Sequence, residues 1–317
     1  AQGAASMAET VLTLHESPVS PVVLQETLRE LVIDASAPLT LTLTAPAQTT
    51  CSLVVRIRHA EALTIQVRAE AASQLTLLYW NESSAPITIR ESNEIYRDAR
   101  FKAAYVQLNP GTVDHQSKTL LKESGAEALV QSAVIAQTQK QFVVDLIHQA
   151  GQTTGIMENY SIVLQGGRYR MEATGKIEKG ARGAKSHQTS RALTFDAQQT
   201  ATILPKLLID ENDVEASHAT TIGQMDENQM YYLQSRGLSE DEAIRLVTIG
   251  YLLPIARISD DPKLQEALAQ EMERDERVVL IGEDLRGGHG GNAPEEAKIE
   301  AFGGVLGVTK GLWTQFG

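Results

Sequence analysis

The sequence predicts a mainly β protein built as a parallel β-helix, or solenoid, and three observations carry this prediction. Short runs rich in Thr, Val, Ile and Leu follow one another between residues 39 and 225, as in proteins made of many strands. Residues 39–44 alternate strictly between Leu and Thr, the pattern of a half-buried strand. Asn-Gly and Asp-Gly dipeptides, the strongest hairpin signals, are absent. Strands without tight hairpins favour a solenoid, in which each coil adds to the last, although no strict sequence repeat is visible.

The individual strands are predicted from these runs, in chain order. Before residue 39 the signal is weaker: residues 25–32 fit either a short helix or an edge strand, after a loop marked by Pro18 and Pro21. The strands predicted for the β region are residues 39–44, 52–57, 63–67, 75–80, 87–89, 103–108, 128–136, 142–148, 161–164, 169–174 and 192–195.

The pattern changes from strand to helix near residue 226. A helix is predicted over residues 227–236, and Gly237 ends it. Ser239 and Glu242 form a capping box that begins a second helix, after which apolar residues recur at helical spacing. We therefore expect a small helical subdomain over residues 226–256.

Four segments follow from these changes in pattern. They are an N-terminal segment over residues 1–38, the β-helix core over 39–225, the helical subdomain over 226–256 and a tail over 257–317. The tail is rich in glycine and is predicted to start a helix and then a short buried strand, as an incomplete α/β unit.

Composition excludes several classes of protein. The 317 residues are 42% hydrophobic and 21% charged, which is ordinary for a soluble globular chain. A net charge of −12 argues against a nucleic-acid binder, because phosphate contacts need a basic surface. No apolar run approaches the roughly 18 residues of a membrane span, and residues 1–8 do not resemble a signal peptide. We expect a cytoplasmic protein with no nucleic-acid or membrane partner.

Charged clusters and the lone cysteine carry little chemistry of their own. Cys51, the single cysteine, is predicted to be a buried structural thiol, and it excludes an internal disulfide. The histidines lack metal-site spacing, so a self-contained zinc site is not expected. Residues 210–215 are interpreted as a solvated acidic loop; a pair of acids for cleaving carbohydrate is the alternative. Five basic residues form either a solvated row or a local patch for an anion or partner: Lys176, Lys179, Arg182, Lys185 and Arg191.

Five segments, in this order, resemble the core domain of the SufB/SufD family of iron–sulfur cluster assembly proteins. They are Gly155–Tyr160, Gly180–Gln188, Pro205–Ile209, Asp213–Gly223 and Tyr231–Gly237. The resemblance implies a right-handed parallel β-helix followed by a helical subdomain. It also implies a scaffold subunit of the SUF machinery rather than an enzyme, and the sequence itself contains no Walker motif for ATP hydrolysis.

The resemblance also points to one histidine, and no catalytic residue is predicted. His218 matches a family histidine at the end of the β-helix, near the interface between two paired subunits, which implies a role as an iron ligand or proton handler. Neutral imidazole suits both tasks. Because no cysteine follows Cys51, the chain resembles the SufD branch, whose histidine faces a cysteine of its partner; Ala216 stands where some members have a cysteine. The alternative is that His218 is a hydrogen-bonded turn residue.

Partners and cofactors are expected from the same resemblance. It implies a complex with a SufB-like subunit and a SufC-like ABC ATPase, the latter docked on the helical subdomain, with a cysteine desulfurase system acting indirectly. No cofactor is expected to be bound permanently. A transient iron–sulfur cluster is expected at the interface with the SufB-like partner, and flavin binding is left open.

The tail carries a second, separate resemblance. Glu271–Val278, Gly282–Asp284 and Gly303–Leu312 are similar to the opening of the β subunit of thiamine-dependent 2-oxo acid dehydrogenases. A fragment of such a subunit is therefore the alternative function. The chain stops before the stretch in which that family carries the glutamate that activates thiamine, so thiamine catalysis is not assigned. The tail is predicted to be a fusion, a chimera or an appendage without function.

Overall fold

A computed structural model of the protein describes residues 10–196 and 198–252. Within them the chain separates into two units, with the boundary between Met225 and Asp226. The whole tail predicted over 257–317, including its helix and strand, lies outside the described residues. So do residues 253–256 of the predicted helical subdomain and residues 1–9.

The first unit is a parallel β-solenoid of about seven turns. Its strands are β1 (Thr10–Leu14), β2 (Val22–Val23), β3 (Leu28–Asp34), β4 (Leu39–Ala45), β5 (Thr50–His59), β6 (Ala62–Ala69), β7 (Gln74–Asn81), β8 (Ile87–Ile95), β9 (Arg100–Gln107), β10 (Val113–Leu121), β11 (Glu127–Ala136), β12 (Gln139–His148), β13 (Thr154–Val163), β14 (Arg168–Ile177), β15 (Lys185–Thr194), β16 (Thr200–Ile209) and β17 (Glu215–Gln224).

Each coil contributes one strand to each of two sheets. The odd-numbered strands form a nine-stranded sheet and the even-numbered strands an eight-stranded sheet, both in chain order. Every pairing between neighbouring strands is parallel. The prediction of a mainly β chain wound as a parallel β-helix is therefore confirmed.

The core lies between the two sheets, because alternate side chains of every strand point inward. In β4, Leu39, Leu41 and Leu43 point inward and are almost fully buried. The register stacks them on inward residues of the next coil, so that Leu41 pairs with Ile65. Burying each such aliphatic side chain stabilises the fold by about 1.5–3 kcal/mol.

Successive coils repeat a backbone conformation rather than a sequence. In the six connections from an even-numbered to an odd-numbered strand between β4 and β15, the chain passes through one residue with φ between 54° and 76°. These left-handed corner residues are Gln48, Ala72, Asp98, Gly125, Gln152 and Gly183, spaced 24 to 31 residues apart. Each donates its amide to a carbonyl of the next coil, as Gln152 N does to Arg182 O at 2.8 Å. The corners therefore stack as regularly as the strands do.

Several strands lie where no strand was predicted, and the reason is physical. In β10, the inward residues His115, Ser117 and Thr119 are polar although they are buried, so apolar and polar residues do not alternate. The strands β16 and β17 were also missed. Residues 25–32, assigned to a helix or an edge strand, overlap β3, which pairs with both β1 and β5 and so is neither.

The second unit contains two described helices, α1 (Glu227–Ser235) and α2 (Glu240–Leu252). Asp226 caps α1 by accepting from Asn228 N at 2.9 Å. The predicted capping box is present: Ser239 N donates to Glu242 Oε2 at 2.7 Å, and Glu242 N donates to Ser239 Oγ at 3.3 Å. Helices after the solenoid are thus confirmed. Neither of these two helices is long and apolar enough to cross a membrane.

Candidate functional site

His218 lies on the last described strand of the odd-numbered sheet, at the end of the solenoid interior. It pairs in register with Gln188 of β15, which pairs with Met157 of β13. Gln188 and Met157 point inward and are buried, whereas His218 is exposed. His218 therefore occupies the next position of an inward-facing column, at the point where that column reaches the surface. It lies within a strand rather than in a turn.

This end of the solenoid is open. In the described part of the chain, β16 pairs only with β14 and β17 only with β15, so one edge of each ten-residue strand is unpaired. Ile209 and Ile222 occupy inward-facing columns yet are 44% and 49% exposed. We call the inward-facing positions of these two strands the open end: Ala201, Ile203, Pro205, Leu207, Ile209, Ala216, His218, Thr220, Ile222 and Gln224.

The polar groups next to His218 come from the preceding coil. Gln188 donates through Nε2 to Lys206 O at 2.8 Å, and its Oε1 has no hydrogen-bond partner among the described residues. On the opposite face of the same two strands, His187 Nδ1 lies 2.8 Å from Ser217 Oγ. A buried, unpaired amide oxygen below an exposed imidazole gives the open end hydrogen-bonding capacity beside its apolar surface.

The acidic loop before His218 is paired with basic residues of the preceding coil. Lys185 Nζ lies 3.1 Å from Glu215 Oε1, and Arg182 Nε lies 3.8 Å from Asp213 Oδ2. The Glu211 carboxylate accepts from Gly180 N at 3.0 Å, and this backbone hydrogen bond is the main cause that lowers its pKa. Opposite charges thus face each other across the coils, which favours a solvated row over a free anion patch.

Other candidate ligands lie elsewhere in the solenoid. In residues 10–196 and 198–252, no three His, Cys, Asp or Glu side chains converge as a metal site would require. Cys51 lies on β5 and is buried, as predicted, and burial raises its pKa. His289 and the thiamine-related segments fall outside the described residues, so the structure does not bear on the alternative function.

Two buried histidines and a buried lysine were missed by sequence reasoning. His115 Nε2 lies 3.4 Å from Glu91 Oε2 inside the solenoid. His148 Nδ1 lies 2.8 Å from Thr153 Oγ1, and burial lowers its pKa to about 4, so it is neutral at physiological pH. In sequence these histidines are isolated. In the structure His115 meets Glu91 of the preceding coil, and His148 meets Thr153 across the turn that follows β12.

Lys140 has the most unusual environment of the three. Its side chain is fully buried, and Nζ donates to Asn109 O at 2.8 Å and to Asn109 Oδ1 at 3.0 Å. Burial lowers its pKa to about 7. A neutral amine has two N–H groups, so these two hydrogen bonds use its full donor capacity.

Comparison with known proteins identifies the family to which this solenoid belongs. Residues 29–251 match the family described as SUF system FeS cluster assembly, SufBD core domain. The chain belongs to the SufBD family. The prediction of a SufD-like member of this family is confirmed by the iron–sulfur cluster assembly protein SufD of Bacillus subtilis (strain 168). It is 31% identical over 180 residues, which are 56% of this chain and 41% of that protein.

Two further relatives are also matched over only part of their own length. An iron–sulfur cluster assembly SufBD family protein of Mycobacterium leprae is 36% identical over 112 residues, or 35% of this chain and 13% of the relative. One of Staphylococcus aureus (strain USA300) is 25% identical over 218 residues, or 68% of this chain and 45% of the relative. The matched region thus spans less than half the length of each of these three relatives.

Proposed function

We propose that this chain is a SufD-like scaffold subunit of the cytosolic SUF machinery, which pairs with a SufB-like subunit and does not hydrolyse ATP itself. The match to the SufBD core domain and to a SufD protein supports the general role. The observation that carries the pairing is the open end of the solenoid, where two ten-residue strand edges and an exposed apolar interior lie side by side.

An open end of this kind suits a second solenoid better than a small ligand. Unpaired strand edges present rows of N–H and C=O groups that can extend a sheet into another chain. Ile209 and Ile222 would leave water in such a contact, which is favourable at roughly 25 cal/mol per Å² of apolar surface. A SufB-like partner with the same architecture would continue both sheets at once.

His218 would then lie inside the joint between the two subunits. One imidazole supplies one ligand to an iron ion, so the partner would supply the others, and a cysteine thiolate is the ligand that iron–sulfur clusters favour. Ala216, one inward position before His218, contributes no thiol. The cluster under construction is thus the cargo of the joint and is not a resident cofactor of this chain.

A SufC-like ATPase is proposed to dock on the helical unit. Tyr231 and Tyr232 of α1 are 73% and 56% exposed, and α1 has no buried residue. Exposed aromatic side chains are common anchors in protein interfaces. ATP hydrolysis by that partner would change the contact between the two solenoids.

Co-expression with SufB-like and SufC-like subunits tests the proposal. We expect one complex containing all three chains by size exclusion with mass determination. Replacing both Ile209 and Ile222 by Asp should release the SufB-like subunit, while Thr64→Asp, on an exposed outward position of β6, should not. Thermal unfolding of the isolated chain should be the same for both variants. A complex that survives the double substitution would exclude the open end as the joint.

His218→Ala separates a chemical from a structural role of the joint. We expect the complex to form normally and cluster assembly, followed by visible absorbance under anaerobic conditions, to fall at least tenfold. His187 of β15 pairs with Ser217, the residue before His218, and lies on the outward face of the sheet. His187→Ala is therefore the matched control and should retain activity. Full cluster assembly by the His218 variant would show that the imidazole is not a ligand.

A further inference from the structure

The middle coils of the solenoid contain a buried polar site that the proposed function does not use. Glu91 points inward from β8, and its side chain has no exposed surface. Tyr79 donates to Glu91 Oε1 at 2.9 Å, and the Tyr105 hydroxyl lies 3.0 Å from Ser117 Oγ. His115 packs edge-on against Tyr105, with 4.4 Å between ring centroids.

Five buried atoms on the inward faces of β8, β9 and β10 have no hydrogen-bond partner among the described residues. They are Glu91 Oε2, Asn93 Oδ1, Gln107 Nε2 and both ring nitrogens of His115. The distance of 3.4 Å between His115 Nε2 and Glu91 Oε2 permits a charge interaction, but the pair does not have hydrogen-bond geometry. Nearly all buried polar groups in proteins find a protein or water partner, so this concentration of unpaired atoms indicates a bound molecule.

The Asn93 and Gln107 side-chain amides each form a hydrogen bond through one polar atom, and the other polar atom has no partner among the described residues. Asn93 donates through Nδ2 to Thr119 Oγ1 at 3.2 Å and keeps a free acceptor. Gln107 accepts through Oε1 from Asn81 Nδ2 at 2.8 Å and keeps a free donor. Hydrogen bonds between coils therefore use one polar atom of each amide and leave the other without a partner among the described residues.

The unpaired atoms are a mixture of donors and acceptors, which selects the class of ligand. A metal cation would be repelled by the N–H groups of Gln107, and an anion by the carboxylate of Glu91. A water molecule donates two hydrogen bonds and accepts two, so it satisfies both kinds of group, and buried waters typically make about three hydrogen bonds.

We propose that the middle coils enclose a small cluster of ordered water molecules, held by Glu91, Asn93, Gln107 and His115. The aliphatic coils should be dry at the corresponding positions. Ile65 and Leu41 precede Glu91 in the same inward column and offer no polar atom to water. The hydration is thus confined to the coils in which the column becomes polar.

A crystal structure of the full chain at about 1.6 Å or better tests this directly. We expect density peaks at about 2.6–3.2 Å from Glu91 Oε2 and Gln107 Nε2, and none beside Ile65. Direct pairing of these atoms with each other, with no peak between them, would overturn the proposal. So would a peak with anomalous scattering at a transition-metal edge.

Two further experiments use the chemistry of the site. Pressurising the crystals with xenon should leave the site free of xenon, since polar, hydrated cavities exclude it and dry ones bind it; xenon at Glu91 would contradict the proposal. In the double variant Glu91→Leu with His115→Phe, the water peaks beside these two residues should vanish, and their persistence would contradict it. If this variant does not fold, the wild-type density and the xenon result decide.

Discussion

The two halves of the solenoid interior share one backbone frame but differ in how many polar side chains they bury. In β3 to β6 the buried inward side chains are aliphatic apart from Cys51, whereas from β7 to β12 tyrosines, amides, histidines and a lysine are interspersed among apolar side chains. One column shows the change directly, since Leu41, Ile65, Glu91 and Ser117 follow one another in register. The parallel pairing of the strands is therefore the same whether the inward side chains are apolar or polar. One coil can be held by apolar packing and the next by side-chain hydrogen bonds as well.

The largest effect is expected where a buried charged group loses its partner. His115→Phe fits between Tyr105 and Phe142 but leaves the Glu91 carboxylate without the imidazole 3.4 Å away. Leaving a buried polar group without a partner destabilises a protein by about 1–3 kcal/mol, and by more when the group is charged. Urea unfolding should show this loss.

The second substitution in a double-mutant cycle sharpens the comparison. Glu91→Gln keeps an acceptor for the Tyr79 hydroxyl, so the double variant with His115→Phe should recover part of the stability lost by His115→Phe alone. Additive losses in the double variant would mean that the two side chains are not coupled.

In the aliphatic half, loss of volume should dominate. Leu43→Ala removes a fully buried side chain and should lower the free energy of unfolding by about 2–5 kcal/mol. Leu208→Ala, on a 49% exposed side chain of β16, is the matched control and should change it by less than about 0.5 kcal/mol. Equal midpoints for the two variants in urea would show that the aliphatic coils do not limit stability.

Lys140 should make the polar half sensitive to pH. Its pKa is about 7 in the folded chain and about 10.4 when unfolded, so the unfolded state binds more protons between these values. The free energy of unfolding therefore rises as the pH increases from about 7 to about 10.4, by at most about 1.4 kcal/mol per pH unit from this group.

Lys140→Met should remove that pH dependence, which urea unfolding between pH 7 and about 9.5 can measure. Higher pH is avoided because burial raises the pKa values of Tyr79 and Tyr105 well above their usual range, which opposes the trend above about pH 10. An unchanged slope in the variant would assign the dependence to other groups.

The smallest effects are expected at the left-handed corners, which both halves share. Gly125→Ala places a Cβ against the Asp98 carboxylate at φ +76° and should destabilise by about 1–2 kcal/mol. Ala72→Gly, at φ +57°, should gain about 0.5 kcal/mol, because relief of strain slightly exceeds the entropy loss of glycine. Thermal unfolding distinguishes the two; a destabilising Ala72→Gly would refute the strain argument.

The strands of both halves were largely predictable from sequence, and β10 is the exception in the polar half. Residues 39–44 lie within β4 because alternation marks a strand whose inward side is apolar. In β10 the inward residues His115, Ser117 and Thr119 break that rule. Their polar contacts are with Glu91, Tyr105 and Asn93 of other strands and cannot be read along the chain.

One part of the candidate site could be predicted from sequence and another part could not. His218 was selected because the chain resembles a known family, and the role of His218 stays a prediction. Its location beyond Gln188, in an inward-facing column that reaches the surface, follows only from the register of β15 and β17. The contact between Glu91 and His115 joins residues 24 positions apart, and no local pattern could have indicated it.

The stacked corners have a consequence for how such a protein can change in length. Because each coil between Gln48 and Gly183 begins and ends at the same backbone conformation, the chain from one corner to the next is an interchangeable module. Removal of residues 98–124 would join Arg97 to Gly125, so that Gly125 takes the place of the corner at Asp98. Each sheet would lose one strand, β9 or β10, and the order of the remaining strands would not change. Gene segments of 24 to 31 codons could therefore be gained or lost here, and the solenoid could grow as a stack of exchangeable parts.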